Sequence, residues 1–226
     1  MYNESEKYQN EFYEKFYSKL MGTGLIAVFW RIIHNQMEKS FRNGYYPQIL
    51  EVGAGNGEHL GSVNCAYDNY FLTDLRVENL QKATILNNNV LLRAEDVCNL
   101  SFPDSTFDRV IMTCVLSHLN DPLLALSEMR RVVKDGGYVS IYLPCEPGIM
   151  LRVIRKLSTR AKARKIGVEN IEFLHFIEHK NYFIALNYFI RWTFVGDQVK
   201  RRNYPFRLLS WNGNLYSLYN IKIKKN

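Results

Sequence analysis

Glu51, Gly53, Gly55 and Gly57 stand at every second position of ILEVGAGNGEHL, residues 49–60, where an apolar run ends and the chain turns polar. Glycines so spaced let the backbone turn tightly and approach a ligand, so the turn reads as the floor of a nucleotide-cofactor site. A dinucleotide reader needs a third glycine three places after Gly55. That place holds Glu58, whose carboxylate would repel a pyrophosphate, and no Gly-Lys-Ser/Thr follows to make a Walker loop. The turn suits a nucleoside cofactor without phosphates. Five histidines offer candidate bases near neutral pH. His118 follows the fourth apolar strand, at the carboxyl edge where open α/β sheets bind ligands, as a base or as a helix-entry or cofactor-flanking residue. His175 and His179 lie one helical turn apart, as bases or as part of an aromatic wall. Their spelling H-x-x-E-H is shared with metalloproteases, a coincidence in this α/β context. His59 either touches the cofactor or lies at the surface, and His34 is structural or exposed.

Strands must hold these residues at one edge. Short apolar strands are expected at 48–52, 70–73, 89–93, 107–114 and 138–143, with helical or polar stretches between them. The best-marked helix runs from Pro122 to Lys134, with Asp121 as N-cap and Pro122 in the first turn. Its buried stripe is Leu123, Leu126, Met129, Val132 and Val133, and Gly136 follows its end. Strands alternating with helices imply a parallel sheet covered on both faces. Before the sheet, Tyr8, Phe12, Phe16 and Leu20 mark an amphipathic helix over 4–20, and a second covers about 24–40. After it, a basic helix is expected over 149–166 and one long aromatic helix over 175–192. Two strands follow around the hairpin signal Asn212-Gly213.

The chain has 226 residues and a net charge of +7. Residues 150–226 hold 16 Lys and Arg against 4 Asp and Glu, a net of +12, and 152–165 alone hold seven basic residues and no acid. Such a tract holds a phosphate-bearing ligand, nucleic acid or an anionic membrane, or is a solvated helix face. The four cysteines form no Cys-x-x-Cys pair and read as small buried residues. The polar N-terminus is no signal peptide, and the apolar runs at 25–33 and 182–190 are too short to span a bilayer, so a cytoplasmic protein is expected.

Taken together, Glu51-x-Gly53-x-Gly55-x-Gly57, Asp74 in FLTDLR, Asp96-Val97 before LSFPDSTFDRVI, the strand ending CVLSHLNDP and VKDGGYVSIYLP form an ordered series. The series resembles the class I S-adenosylmethionine-dependent methyltransferases, and within them the type 11 small-molecule family, over residues 48–144. The resemblance implies a Rossmann-like fold: a seven-stranded, mostly parallel sheet ending in an antiparallel hairpin, with N-terminal helices and a helical lid insertion. The single domain would comprise a cap at 1–43, a cofactor core at 44–145, a basic and aromatic lid at 146–195 and strands at 196–226. It implies S-adenosyl-L-methionine on Glu51, Gly53, Ala54, Gly55, Gly57, Asp74, Leu75, Asp96, Val97 and Cys114. Asp74 would accept the ribose hydroxyls, Asp96 would bind the adenine amino group, and Val97 would pack on the ring. Asp74 also lies 21 residues after Gly53, near a dehydrogenase's ribose-acid spacing, but the missing third glycine and the later motifs outweigh that reading. Two departures stand out: Ser101 where the family has proline, and Arg93-Ala94 where it has Gly-Asp.

Methyl transfer from a sulfonium is an in-line displacement, and a hydroxyl acceptor needs a base. The stretch from Glu178 to Phe194 resembles the family's helix beside the acceptor pocket, so His118, His179 and His175 are the candidate bases. No metal is implied, because the acidic cluster of magnesium-dependent relatives is missing after strand four. So is the Asn/Asp-Pro-Pro-Tyr of amino-directed nucleic-acid methyltransferases, and Cys145 lacks the Pro-Cys companion of cysteine-nucleophile RNA enzymes. The expected function is O-methylation of a small, anionic acceptor. A sugar or a phosphorylated or nucleotide-linked glycan precursor of bacterial capsule or O-antigen synthesis would fit the basic lid. The alternatives are an RNA or protein methyltransferase, a non-catalytic cofactor-binding protein, and a basic-aromatic third lying at a membrane surface.

Overall fold

The strand β1 (Gln48–Val52) is buried along nearly its whole length because it lies inside the sheet, with β2 (Asn69–Asp74) on one side and β4 (Phe107–Thr113) on the other, both parallel to it. The computed structural model describes residues 24–83 and 88–225, together with residues 7, 8, 11, 12, 15, 16, 19 and 20. The sheet adds β3 (Val90–Ala94), β5 (Val133–Pro144), β6 (Gln198–Tyr204) and β7 (Tyr216–Lys222), in the order β3-β2-β1-β4-β5-β7-β6. β7 runs antiparallel to β5 and β6 antiparallel to β7. This is the seven-stranded, Rossmann-like arrangement expected. Strand order reverses beside β1, which opens a crevice at the carboxyl edge.

Period-two alternation divides the strands between two cores. Leu50, Val52, Val110, Met112 and Ile141 face α3 (Pro122–Val132) and α7 (Phe183–Thr193), where Leu126, Met129, Leu186 and Ile190 are buried. Ile49, Tyr70, Leu72 and Ile111 face α1 (Gly24–Glu38) through Ile33 and Met37. Each such side chain contributes about 1.5–3 kcal/mol by leaving water. The same alternation puts Glu51 and Arg109 on the α1 face. There Arg109 makes a bidentate pair with Glu38 at 2.7 and 2.8 Å, and both side chains are wholly buried.

Several local expectations are corrected. Helix α3 starts as expected, with Asp121 accepting the Leu124 N–H at 2.9 Å, but Ala125 lies in its buried stripe and Leu123 is exposed. It ends at Val132, and Lys134 and Gly136 belong to β5. The basic segment is two helices, α4 (Ile149–Leu157) and α5 (Thr159–Lys165), separated at Ser158, whose hydroxyl bonds back to the Ile154 carbonyl. The long aromatic helix is also two, α6 (Ile171–Glu178) and α7. Tertiary bonds hold the chain open between them: Asn181 donates from its backbone to the Ser117 carbonyl at 3.1 Å and from its side chain to the Leu119 carbonyl at 2.7 Å. Asn212-Gly213 is not the tip of a tight hairpin but part of a short turn in an 11-residue connection between β6 and β7. Asn214 closes that connection by accepting the Phe206 N–H and donating to the Leu209 and Ser210 carbonyls. The 4–20 helix lies partly outside the described residues. Where described, Leu20 donates to Phe16 and Phe16 to Phe12, and Phe12 and Leu20 pack with Ile171 and Leu174. A remaining short helix, α2, covers Val77–Leu80.

Candidate active site

The turn after β1 needs its glycines for definite reasons. Gly53, Gly55 and Gly57 have φ of +63°, +56° and +75°, a region L side chains avoid. A Cβ on Gly53 would stand 2.3 Å from Val115 Cγ2, and one on Gly57 3.1 Å from Ala83 Cβ. The turn is tied to the end of β2: Ala54 donates to the Thr73 carbonyl, and the Gly55 N–H donates to Asp74 Oδ2 at 2.9 Å. Asp74 Oδ1 accepts the Arg76 N–H at 2.9 Å, so the carboxylate is fixed at the carboxyl edge.

A cleft of ≈2530 Å³ opens at this edge, larger than the roughly 300–1,000 Å³ typical of one small-molecule site. Gly53, Ala54, Gly55, Asp74, Leu75, Asp96, Val97 and Cys114 line it. Glu51 and Gly57 do not. Glu51 lies beneath the turn, fully buried, with Oε2 accepting the Tyr70 hydroxyl at 2.6 Å, and burial raises its pKa. Its Oε1 has no hydrogen-bond partner among the described residues.

These groups fit a nucleoside-bearing donor. Asp74 presents a fixed carboxylate for a diol. Leu75 is 72 % exposed on the cleft wall, an apolar surface that a flat base would cover. Asp96 is exposed, with Oδ1 held by the Cys98 N–H, beside the mostly buried Val97. Cys114 follows β4 at φ +58°, and burial pushes its thiol up to about 12, so it is a neutral wall rather than a nucleophile.

The three candidate bases come together on the other wall. The His118 ring stands edge-on to His179 with centroids 4.7 Å apart, and His175 lies 5.6 Å from His179. Burial, then the neighbouring His179, lowers His118 to about 4; burial, then Arg155, lowers His175 to about 3. Both are therefore neutral near pH 7. His179 Nδ1 bonds Glu146 Oε2, and Arg155 Nη1 donates to Glu146 Oε1 at 2.6 Å. Burial alone would raise the Glu146 carboxyl, but the His179 bond and the Arg155 charge hold it down to about 2. With Nδ1 so engaged, the ring has Nε2 to offer. Glu146 was missed from the sequence, although an acid two residues beyond the fifth apolar strand carries a signal close to that of Asp74 at the end of the second.

His59 and His34 both line the cleft beside the glycine turn. His59 is almost fully buried, and its Nε2 meets Glu38 Oε1 at 2.9 Å, so it is neither a surface group nor free to leave that carboxylate. His34 is buried beside it, rings 5.0 Å apart. Among the described residues no group of three or more His, Cys, Asp or Glu is placed to hold a metal ion.

A family model described as a methyltransferase domain matches residues 50–141. An uncharacterized methyltransferase of Schizosaccharomyces pombe is 39% identical over 105 residues, covering 41% of this chain and 38% of that protein. A putative methyltransferase of Encephalitozoon cuniculi is 34% identical over 116 residues, covering 49% of this chain and 52% of that protein. The chain thus spans from under two-fifths to about half the length of these relatives. In fold, it aligns with a chain of the complex between the Haloferax volcanii Trm112 methyltransferase activator and the putative methyltransferase. The TM-score is 0.64 at 14% identity, over 97% of this chain and 98% of that one.

Proposed function

From its class I S-adenosylmethionine-dependent methyltransferase domain, to which residues 50–141 belong, we propose that the chain transfers a methyl group to a hydroxyl of a small acceptor, with His179 as the base. The observation that carries this reading is the meeting of His118, His175 and His179, backed by Glu146, across one cleft from the glycine turn and Asp74. When bound, S-adenosylmethionine supplies a methyl already activated on a sulfonium. The chain's own work is then to hold the donor, place the acceptor and take its proton. Asp74 and the backbone of the glycine turn hold the nucleoside. Asp96 and Val97 lie at the base, and Glu51 supports the turn from below. His179 takes the acceptor's proton at Nε2, while Glu146 fixes the tautomer and faces the charge the ring gains. His118 and His175, kept neutral by burial, shape the pocket without adding positive charge near a sulfonium.

An anionic acceptor would meet Arg155 and Lys180, which line the cleft. Phosphorylated or nucleotide-linked sugars of bacterial surface polysaccharides are the first class to test. Calorimetry with S-adenosylmethionine should show binding that Asp74→Ala weakens about tenfold or more. Labelled methyl transfer to such sugars, with RNA and protein offered in parallel, should then fall about 10²–10⁴-fold in His179→Ala with donor affinity unchanged. Full turnover of that variant would remove His179 from the role, and exclusive labelling of RNA or protein would replace the small acceptor.

A further inference from the structure

Of the seven basic residues in 152–165, Arg155 alone lines the cleft among the described residues. Arg160 pairs with Glu172 at 2.7 Å and Lys162 donates to the Leu20 carbonyl at 2.6 Å, while Arg152, Lys156, Arg164 and Lys165 are exposed. Helix α4 turns Leu151, Ile154 and Arg155 to the cleft. Its opposite side carries Ile149, Val153 and Leu157 at i, i+4 and i+8, a single stripe, and these are 57%, 51% and 72% exposed. Arg152 and Lys156, also exposed, form the adjoining stripe. Three large aliphatic side chains in line, flanked by cations, are unfavourable for a helix that no other described residue covers on that face.

The connection after β6 continues this surface. Tyr204 pairs with Tyr216, which pairs with Pro144, so the connection leaves the sheet at the carboxyl edge, where the cleft opens. The Ile149 N–H donates to Asn212 Oδ1 at 2.8 Å, and Leu209 packs within 3.2 Å of where a Cβ on Gly213 would stand, so helix and connection are joined. Leu208 is fully exposed there, next to Arg207.

We propose that this face, α4 with the 205–209 connection, docks on the surface of an anionic lipid bilayer. The apolar stripe would enter the headgroup boundary while the flanking cations meet lipid phosphates. Charge complementarity selects this occupant, since residues 150–226 carry a net +12. No helix among the described residues is long and apolar enough to cross a membrane. The surface itself does not depend on the reaction proposed above.

The test is co-sedimentation of the full chain with phosphatidylcholine vesicles, with and without phosphatidylglycerol. Binding should require phosphatidylglycerol and weaken with salt. Ile149→Ser with Val153→Ser and Leu157→Ser should lower partitioning at least about tenfold, as should Arg152→Glu with Lys156→Glu. Tyr188→Ser with Trp192→Ser, on the exposed side of α7, should leave it unchanged. Calorimetry with S-adenosylmethionine, run on each variant, reports an intact fold separately from lipid binding. It also tells failure of the methyltransferase reading apart from failure of this one. The proposal is overturned by absence of partitioning, by loss confined to the α7 variant, or by a vesicle-free dimer that the α4 substitutions dissociate, since a second copy would then cover the face.

Discussion

A carboxylate behind an imidazole does its work through the nitrogen it leaves open, and Glu146 is the residue that sets this in His179. Glu146→Gln keeps the shape and removes the charge. Its turnover should fall about 10²-fold while acceptor KM and donor affinity stay near wild type, and the pH profile of kcat/KM should change. An unchanged profile would reduce Glu146 to a packing role. The residues legible in the sequence here are those whose chemistry coincides with a strand end: Asp74 as the last residue of β2, His118 shortly after β4. Glu146 occupies an equivalent place after β5, but its roles depend on His179 and Arg155, which lie 33 and 9 residues away. No local spacing announces those partners.

At the scale of elements, the glycine turn is set by backbone geometry and by one facing side chain. Gly53→Ala should cost more than about 1 kcal/mol in urea unfolding and weaken donor binding, because φ +63° is combined with a 2.3 Å approach to Val115. Gly55→Ala meets nothing closer than 3.7 Å, so its cost is conformational only and should be smaller. Equal costs would mean that Val115 yields. The turn, the five parallel strands and α3 were all legible, because apolar runs, caps and glycines act within a few residues. The breaks at Ser158 and between α6 and α7 were not. The 175–192 stretch has helical periodicity throughout, and it is the bonds of Asn181 to Ser117 and Leu119, with Phe183 bonding the Glu146 carbonyl, that open it.

For the whole molecule, α1 is locked to the sheet by Glu38, Arg109 and His59, all buried. Glu38→Ala should cost about 3–5 kcal/mol in thermal or urea unfolding by leaving the Arg109 charge without its carboxylate, whereas Glu38→Leu with Arg109→Met should cost less, about 1–3 kcal/mol, because only the neutral-capable His59 then loses its buried partner. Similar losses in both would show that packing, not charge, decides. Stability should also fall with acid. His34 and His175 are lowered to about 3 and His118 to about 4, each chiefly by burial, from an ordinary 6.5. The unfolded chain therefore binds protons below about pH 6.5 while the folded one stays neutral, and stability drains away towards pH 4 and below. Glu38 and Glu146, held near 2 despite burial, add stability present above about pH 4.5 that is lost as pH falls towards 2. Urea midpoints measured from pH 7 to pH 4 should drop, and His34→Gln should flatten the drop; a flat wild-type profile would contradict the burial of neutral histidines. The sequence by itself determined the five parallel strands, the glycine turn and the acid that ends β2, because each follows from neighbours along the chain. Only the tertiary structure decided that Glu51 lies under the turn and not in the cleft, that three histidines and Glu146 share one wall, and that most of the basic tract faces outward. Those outcomes depend on which faces of distant elements meet.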